Sequence, residues 1–208
     1  MRHQAKNTSY LMPHFINKII SFMMIGVAES LIRTNGFNVE DMARAFVRNY
    51  ELEPFSGYDP RPPHIFRLIR AGEAWDKAAQ KLYYGGSYGN SSAMRIAPLG
   101  VFYHDNPDRL RGVAYTSSQI THAHHLGKEG AALQAYAIAL VTNLEPHLAF
   151  DRSGFLVKLA DYVEDKVYQQ KLCRINELLT APDKAKVADE LGNGLRPLIR
   201  CLQLYIPS

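Results

Sequence analysis

Residues 128–142, KEGAALQAYAIALVT, carry Ala131, Ala132, Leu133, Ala135, Tyr136, Ile138, Ala139 and Leu140, and as a helix they leave hardly a polar face. A helix that is apolar all round is stable only where other elements cover it on every side. The stretch therefore predicts a central helix with the rest of the fold packed around it. No window of the chain alternates apolar and polar residues with the period of two that marks a half-buried strand. The expected fold is all-α, a single compact helical bundle. A chain of 208 residues is long enough for one domain with a real core, and 47% hydrophobic with 21% charged residues is the composition of a soluble globular protein.

Local signals place the other helices. The first starts near Pro13 and ends at Asn35-Gly36, a pair suited to a left-handed cap. Its early part has a second reading. Arg2, Lys6 and Lys18 precede an uncharged run from Ile19 to Ala28, as in a secretory leader. That run is too short to cross a bilayer, which takes roughly 20 apolar residues. It also continues without a break into Glu29-Ser30-Leu31-Ile32-Arg33, with Met24, Ala28, Leu31 and Ile32 at helical spacing, so a core helix explains it better. Asn38 caps a second helix, with Glu40 and Asp41 at its positive end. Two short helices follow over residues 63–71 and 73–83, parted by Gly72, with Trp75 in the core beside Ala79. Residues 93–103 read as one helix bent at Pro98. Asn106-Pro107-Asp108 opens another that runs to about His122. Beyond Phe150 come a helix through Phe155, Leu156, Leu159, Ala160 and Val163, a second through Tyr168, Leu172, Ile175, Leu178 and Leu179, and a last one over residues 183–191, stopped by Gly192-Asn193-Gly194.

The segment Gly85-Gly86-Ser87-Tyr88-Gly89-Asn90 interrupts this helical pattern. Each glycine costs a helix about 1 kcal/mol relative to alanine, so the segment is a turn. It is either plain punctuation between helices or a place where main chain approaches a ligand. Glycine lets backbone N–H groups reach an anion, and Ser87 and Asn90 can donate to or accept from hydroxyls. Tyr88 offers an aromatic face or packs inward. Arg95 is an anion ligand, a solvated charge or a support for the loop. His122, His124 and His125 lie at a spacing that does not bring all three to one metal ion, which argues against zinc.

Gly86-Ser87-Tyr88-Gly89-Asn90 with Ala93-Met94-Arg95, then Thr121-His122, then Leu126-Gly127-Lys128-Glu129-Gly130-Ala131, resemble in order and spacing the ADP-ribosylglycohydrolase family. The resemblance is closest to bacterial and archaeal members related to the ADP-ribosyl-serine hydrolases. It extends over a partial domain, residues 23–194, between a divergent segment 1–22 and a divergent tail 195–208. It implies a compact all-helical protein with two magnesium ions that hydrolyses the bond joining ADP-ribose to a protein side chain or to another ADP-ribose. It further implies that Gly86, Ser87, Tyr88, Gly89 and Asn90 wrap the diphosphate and ribose, with Tyr88 against adenine. Ser91 stands where the family often has glycine, His122 matches a ligand-contacting histidine, and Leu172 matches a residue that touches the ligand by its backbone. Gly57-Tyr58-Asp59-Pro60 departs in detail from a family loop near the ligand.

The resemblance fails at the metal. Family members carry Asp-rich motifs that hold both magnesium ions. Here the place before Met23 reads Ile19-Ile20-Ser21-Phe22, and Gly194 is followed by Leu195-Arg196-Pro197-Leu198. Magnesium demands several oxygen ligands, so no residue of this chain is assigned to metal or to catalysis. The expectation is a family member that hydrolyses ADP-ribosylated substrates in its intact form and is an inactive fragment here, with exposed apolar helix faces. The alternatives are a noncatalytic ADP-ribose-binding or interaction module, or an enzyme remodelled around other groups. The expected partner is ADP-ribose or an ADP-ribosylated protein. A net charge of +4 helps an anionic ligand approach, but no basic block or aromatic-basic module indicates nucleic acid. No segment indicates a membrane. Cys173 and Cys201 lack the CxxC spacing of a metal or redox motif, read as small apolar residues and fit a reducing cytoplasm.

Overall fold

A computed structural model describes residues 8–54, 61–82 and 85–179, and all regular structure among them is helical. The helices are α1 (Thr8–Thr34), α2 (Val39–Leu52), α3 (Arg61–Arg70), α4 (Trp75–Leu82), α5 (Ser91–Met94), α6 (Ala97–Phe102), α7 (Pro107–Gln119), α8 (His125–Thr142), α9 (Arg152–Tyr162) and α10 (Lys166–Leu178). The expected last helix over 183–191, Cys201 and the segment Gly57-Tyr58-Asp59-Pro60 lie outside the described residues.

The all-round apolar stretch is α8, and it is central: α5, α6, α7 and α9 all pack against it. Its two sides feed two cores. Ala131, Ala132, Ala135 and Ala139 join Val27, Phe46, Leu99, Leu110 and Val113 in one, whereas Leu133 and Ala137 join Phe155, Leu159, Leu172 and Ile175 in the other. The alanine side lets neighbouring backbones approach closely. The absence of a polar face follows from having a core on each flank.

Caps explain most boundaries. Asn35 turns left-handed at φ 48°, and the Gly36 N–H reaches back to the Leu31 carbonyl at 3.0 Å, closing α1. The side chains of Asn38 and Asn106 accept from the N–H groups of Asp41 at 2.9 Å and Arg109 at 3.0 Å. Asp151 and Asp165 do the same for Gly154 and Val167 at the starts of α9 and α10. Each such cap is worth about 1 kcal/mol.

Some expectations are corrected. Residues 93–103 are not one bent helix, because α5 ends at Met94 and α6 begins at Ala97, with Pro98 in its first turn. Proline has no N–H to give and is at home there. Helix α7 stops at Gln119, so His122 sits in the turn after it. Trp75 opens α4 half-buried against the main core. Cys173 is exposed and does not act as a small core residue. Ile32 and Leu52 are 80% and 77% exposed on the α1–α2 side. Among the described residues no helix is long and apolar enough to cross a membrane.

Candidate functional site

The glycine loop lies directly on the turn that joins α7 to α8. Gly86 has φ +84°, and a Cβ built there would fall 2.3 Å from the His124 backbone nitrogen and 2.6 Å from the Ala123 carbonyl carbon. Only glycine allows both that backbone conformation and that approach. Three residues on, a Cβ at Gly89 would be 3.1 Å from His122 Nε2. From the opposite side, a Cβ at Gly127 would be 3.0 Å from the Ser87 carbonyl oxygen and 3.5 Å from Tyr88 Cα. Main chain from 86 to 89 is thus clasped between the turn and the first residues of α8. Ser92 adds a tie beneath it, its buried hydroxyl donating to the Gly127 carbonyl at 3.3 Å.

His122 is held from below. Its N–H donates to the Ser118 carbonyl at 2.8 Å, and Nδ1 lies 2.8 Å from Thr121 Oγ1. The same hydroxyl accepts from Arg95 Nη1 at 2.8 Å, while Arg95 Nη2 donates to the Ser117 carbonyl at 3.0 Å. Arg95 is 2% exposed, and its guanidinium lies 4.4 Å from the centroid of the Phe46 ring. Of the three roles open to it from sequence, the packing matches support of the site.

The outer rim is aromatic. Tyr88 is 56% exposed and meets the His124 ring edge-on at 5.7 Å. His124 lies 4.5 Å from the His125 ring, and His125 Nε2 is 3.2 Å from Asp165 Oδ2. His124 caps α8 by accepting from the Leu126 N–H at its Nδ1, 3.2 Å away. Desolvation, then the neighbouring His125 and Lys128, push its pKa below the ordinary histidine value, and Asp165 partly opposes them.

The structure brings Gly86, Ser87, Tyr88, Gly89 and His122 together. Ser87 Oγ accepts from the Gly89 N–H at 3.3 Å, a local turn bond. Asn90 precedes α5 without making a side-chain cap, and Ser91 is the exposed first residue of that helix. Leu172 is in α10, its side chain 1% exposed among the α8–α9–α10 apolar residues. It lies one turn beyond Tyr168, whose hydroxyl donates to the Leu126 carbonyl at 3.0 Å.

Sequence reasoning passed over Glu129. Only 1% exposed, it accepts from Arg111 Nη2 at 3.2 and 3.4 Å, from the Tyr115 hydroxyl, from the Glu164 N–H at 2.6 Å and from the Asp165 N–H at 3.4 Å. It ties α7, α8 and the α9–α10 junction together just behind Gly127. One signal was present: a carboxylate within an otherwise apolar helix must be paired if it is buried.

Among the described residues, no donor set near the loop fits magnesium. Glu129 is saturated by its own partners. Asp165 caps α10 and pairs with His125. Among the described residues no three His, Cys, Asp or Glu side chains gather as a metal site, whereas magnesium takes an octahedron of oxygens.

A sequence profile described as ADP-ribosylglycohydrolase matches residues 20–206. ADP-ribosylhydrolase ARH3 of Xenopus tropicalis is 31% identical over 195 residues, which cover 84% of this chain and 55% of the relative. The Homo sapiens protein of that name is 30% identical over 196 residues, 83% of this chain and 53% of the relative. An uncharacterized protein of Archaeoglobus fulgidus is 26% identical over 177 residues, 84% and 54% respectively. The chain spans about half the length of the curated relatives it matches.

Proposed function

Because the chain belongs to the ADP-ribosylglycohydrolase family, we propose that it recognises ADP-ribose, free or attached to protein, through the loop over residues 86–90. Hydrolysis of the glycosidic bond depends in this reading on carboxylates other than those the described residues gather. The single observation that carries the proposal is that the space beside Gly89, where a Cβ would lie 3.1 Å from His122 Nε2, is left open by glycine next to an imidazole bonded through Thr121 to Arg95.

Each residue then has a chemical task. The main chain of Gly86 and Gly89, unobstructed by side chains, lies close to the diphosphate and ribose. Tyr88 supplies an exposed aromatic face for adenine. Asn90 and Ser91 stand at the edge of the loop, where an amide and a hydroxyl can meet ribose hydroxyls. His122 contacts the ligand from the turn, and Leu172 contributes through its backbone. The net charge of +4 favours the approach of an anion. The two magnesium ions implied by the resemblance have no ligand set among the described residues, so no chemical step is assigned to metal here. Cysteine usage supports a reducing, cytoplasmic setting.

Calorimetric titration with ADP-ribose tests the reading. The expected result is millimolar or tighter binding that Tyr88→Ala and His122→Ala weaken. No detectable heat across that range would remove ADP-ribose as the ligand. Magnesium-dependent release of ADP-ribose from a modified peptide by this polypeptide alone would show that the chain itself supplies the carboxylates for hydrolysis.

A further inference from the structure

We infer that Arg95 and Thr121 are positioning residues that hold the His122 imidazole neutral with its hydrogen on Nε2, so that it presents a hydrogen-bond donor to the glycine loop and not a base. The hydrogen-bond inventory leads there. A guanidinium only donates, and it keeps its charge in proteins. Arg95 Nη1 donates to Thr121 Oγ1 at 2.8 Å, which occupies one lone pair of the hydroxyl and leaves one lone pair and the hydrogen. Thr121 is 2% exposed, and among the described residues the acceptor its hydroxyl hydrogen meets is His122 Nδ1 at 2.8 Å. If Nδ1 carried a hydrogen instead, it would donate to the hydroxyl, and the hydroxyl hydrogen would be buried with no acceptor. Leaving a buried polar group unsatisfied is costly.

A further effect points the same way. A hydroxyl that accepts from a cation is polarised and becomes a better donor to the next group in the chain. The chain Arg95 to Thr121 to His122 therefore runs in one direction, donor to acceptor, and ends at Nε2–H. That end faces Gly89, where a Cβ would lie 3.1 Å from Nε2. A fixed N–H there suits an acceptor oxygen of phosphate or ribose and cannot remove a proton from substrate or water. This inference rests on the loop being the ligand-facing element, but the state of the ring is measurable without any ligand.

The test is two-bond ¹H–¹⁵N correlation spectroscopy of ligand-free protein labelled with ¹⁵N-histidine near neutral pH, with His122 assigned by its loss in His122→Asn. The expected pattern is an unprotonated Nδ1 and a protonated Nε2. A protonated Nδ1, or two protonated nitrogens, in the unsubstituted protein would overturn the proposal whatever the variants do. Thr121→Val is expected to move both nitrogens towards the averaged positions of a tautomer mixture, and Thr121→Ser to restore the original pattern. An unchanged pattern in folded Thr121→Val would show that the relay does not set the ring. Adding ADP-ribose to the same sample separates the two readings: the expected Nε2–H pattern with no response to ligand would leave the tautomer standing and remove the ligand assigned to the loop.

Discussion

The Cβ that Gly86 lacks would sit 2.3 Å from the backbone nitrogen of His124, closer than any side chain can approach main chain. Gly85, its neighbour, has a similar left-handed φ of +80° but nothing within 4 Å of a built Cβ. The pair separates strain from seating. Alanine at either position pays a left-handed backbone cost of about 1–2 kcal/mol. Gly86→Ala must in addition lift the loop off the turn. Urea unfolding is expected to show Gly85→Ala losing only that strain and Gly86→Ala losing more, with ADP-ribose binding abolished in the second alone. Equal losses in both variants would mean that the loop is not clasped as described.

Tyr88 provides the opposite kind of test. With 56% of it exposed, the side chain contributes little to the core, so Tyr88→Ala should change stability by no more than about 0.5 kcal/mol. Stacking of a base on an aromatic ring is worth about 1–3 kcal/mol, so binding of ADP-ribose should weaken by about 5- to 150-fold, whereas Tyr88→Phe should bind nearly as the parent does. Undiminished affinity in the alanine variant would remove Tyr88 from the adenine subsite.

Glu129 is the acid on which the back of the site depends. Breaking a buried ion pair by deleting one partner costs about 3–5 kcal/mol, because the other charge stays desolvated. Glu129→Ala takes from Arg111, whose side chain is only 20% exposed, its buried counter-charge, leaving it the exposed Glu164 carboxylate at 3.2 Å and the Tyr162 carbonyl at 2.8 Å, and leaves the Glu164 N–H without its acceptor. Glu129→Gln keeps the shape and an acceptor oxygen and should lose less. Denaturant titration of the two variants checks the order, and a loss below about 1 kcal/mol for Glu129→Ala would show that the network is solvated.

What could be read from sequence was what is encoded locally or by unbroken pattern. Asn38 and Asn106 were recognisable because a cap needs only the next few residues, and α8 because a helix with no polar face has one place to go. The break between Met94 and Ala97 was not recognisable. The 93–103 stretch has helical spacing, and the chain departs from it where Arg95 turns inward to Thr121 and Ser117, partners 26 and 22 residues away. Glu129 escaped for the same reason, since its partners are 14, 18 and 35 residues distant. In the site, the glycines and Thr121-His122 were identified through family resemblance. Their physical relation, one glycine against a backbone nitrogen and another against an imidazole, needed the fold.

His124 makes the rim of the site sensitive to acid. Desolvation first, then His125 and Lys128, hold its pKa below the ordinary value of 6.5, with Asp165 opposing. Its Nδ1 also spends its lone pair on the Leu126 N–H, a bond that a protonated ring cannot make. The unfolded chain takes up this proton near pH 6.5, while the folded chain resists until lower pH. Below pH 6.5 the unfolded state therefore binds more protons, and stability falls as the pH falls through that window until the folded ring is protonated too. Above it the contribution is fully present. His124→Asn keeps a good capping residue but does not titrate, so its stability should decline less steeply below pH 6.5 than that of the parent. Thermal unfolding of both proteins across pH 5 to 8, the range in which histidine changes charge, makes the comparison. Parallel curves would assign the acid sensitivity to other groups.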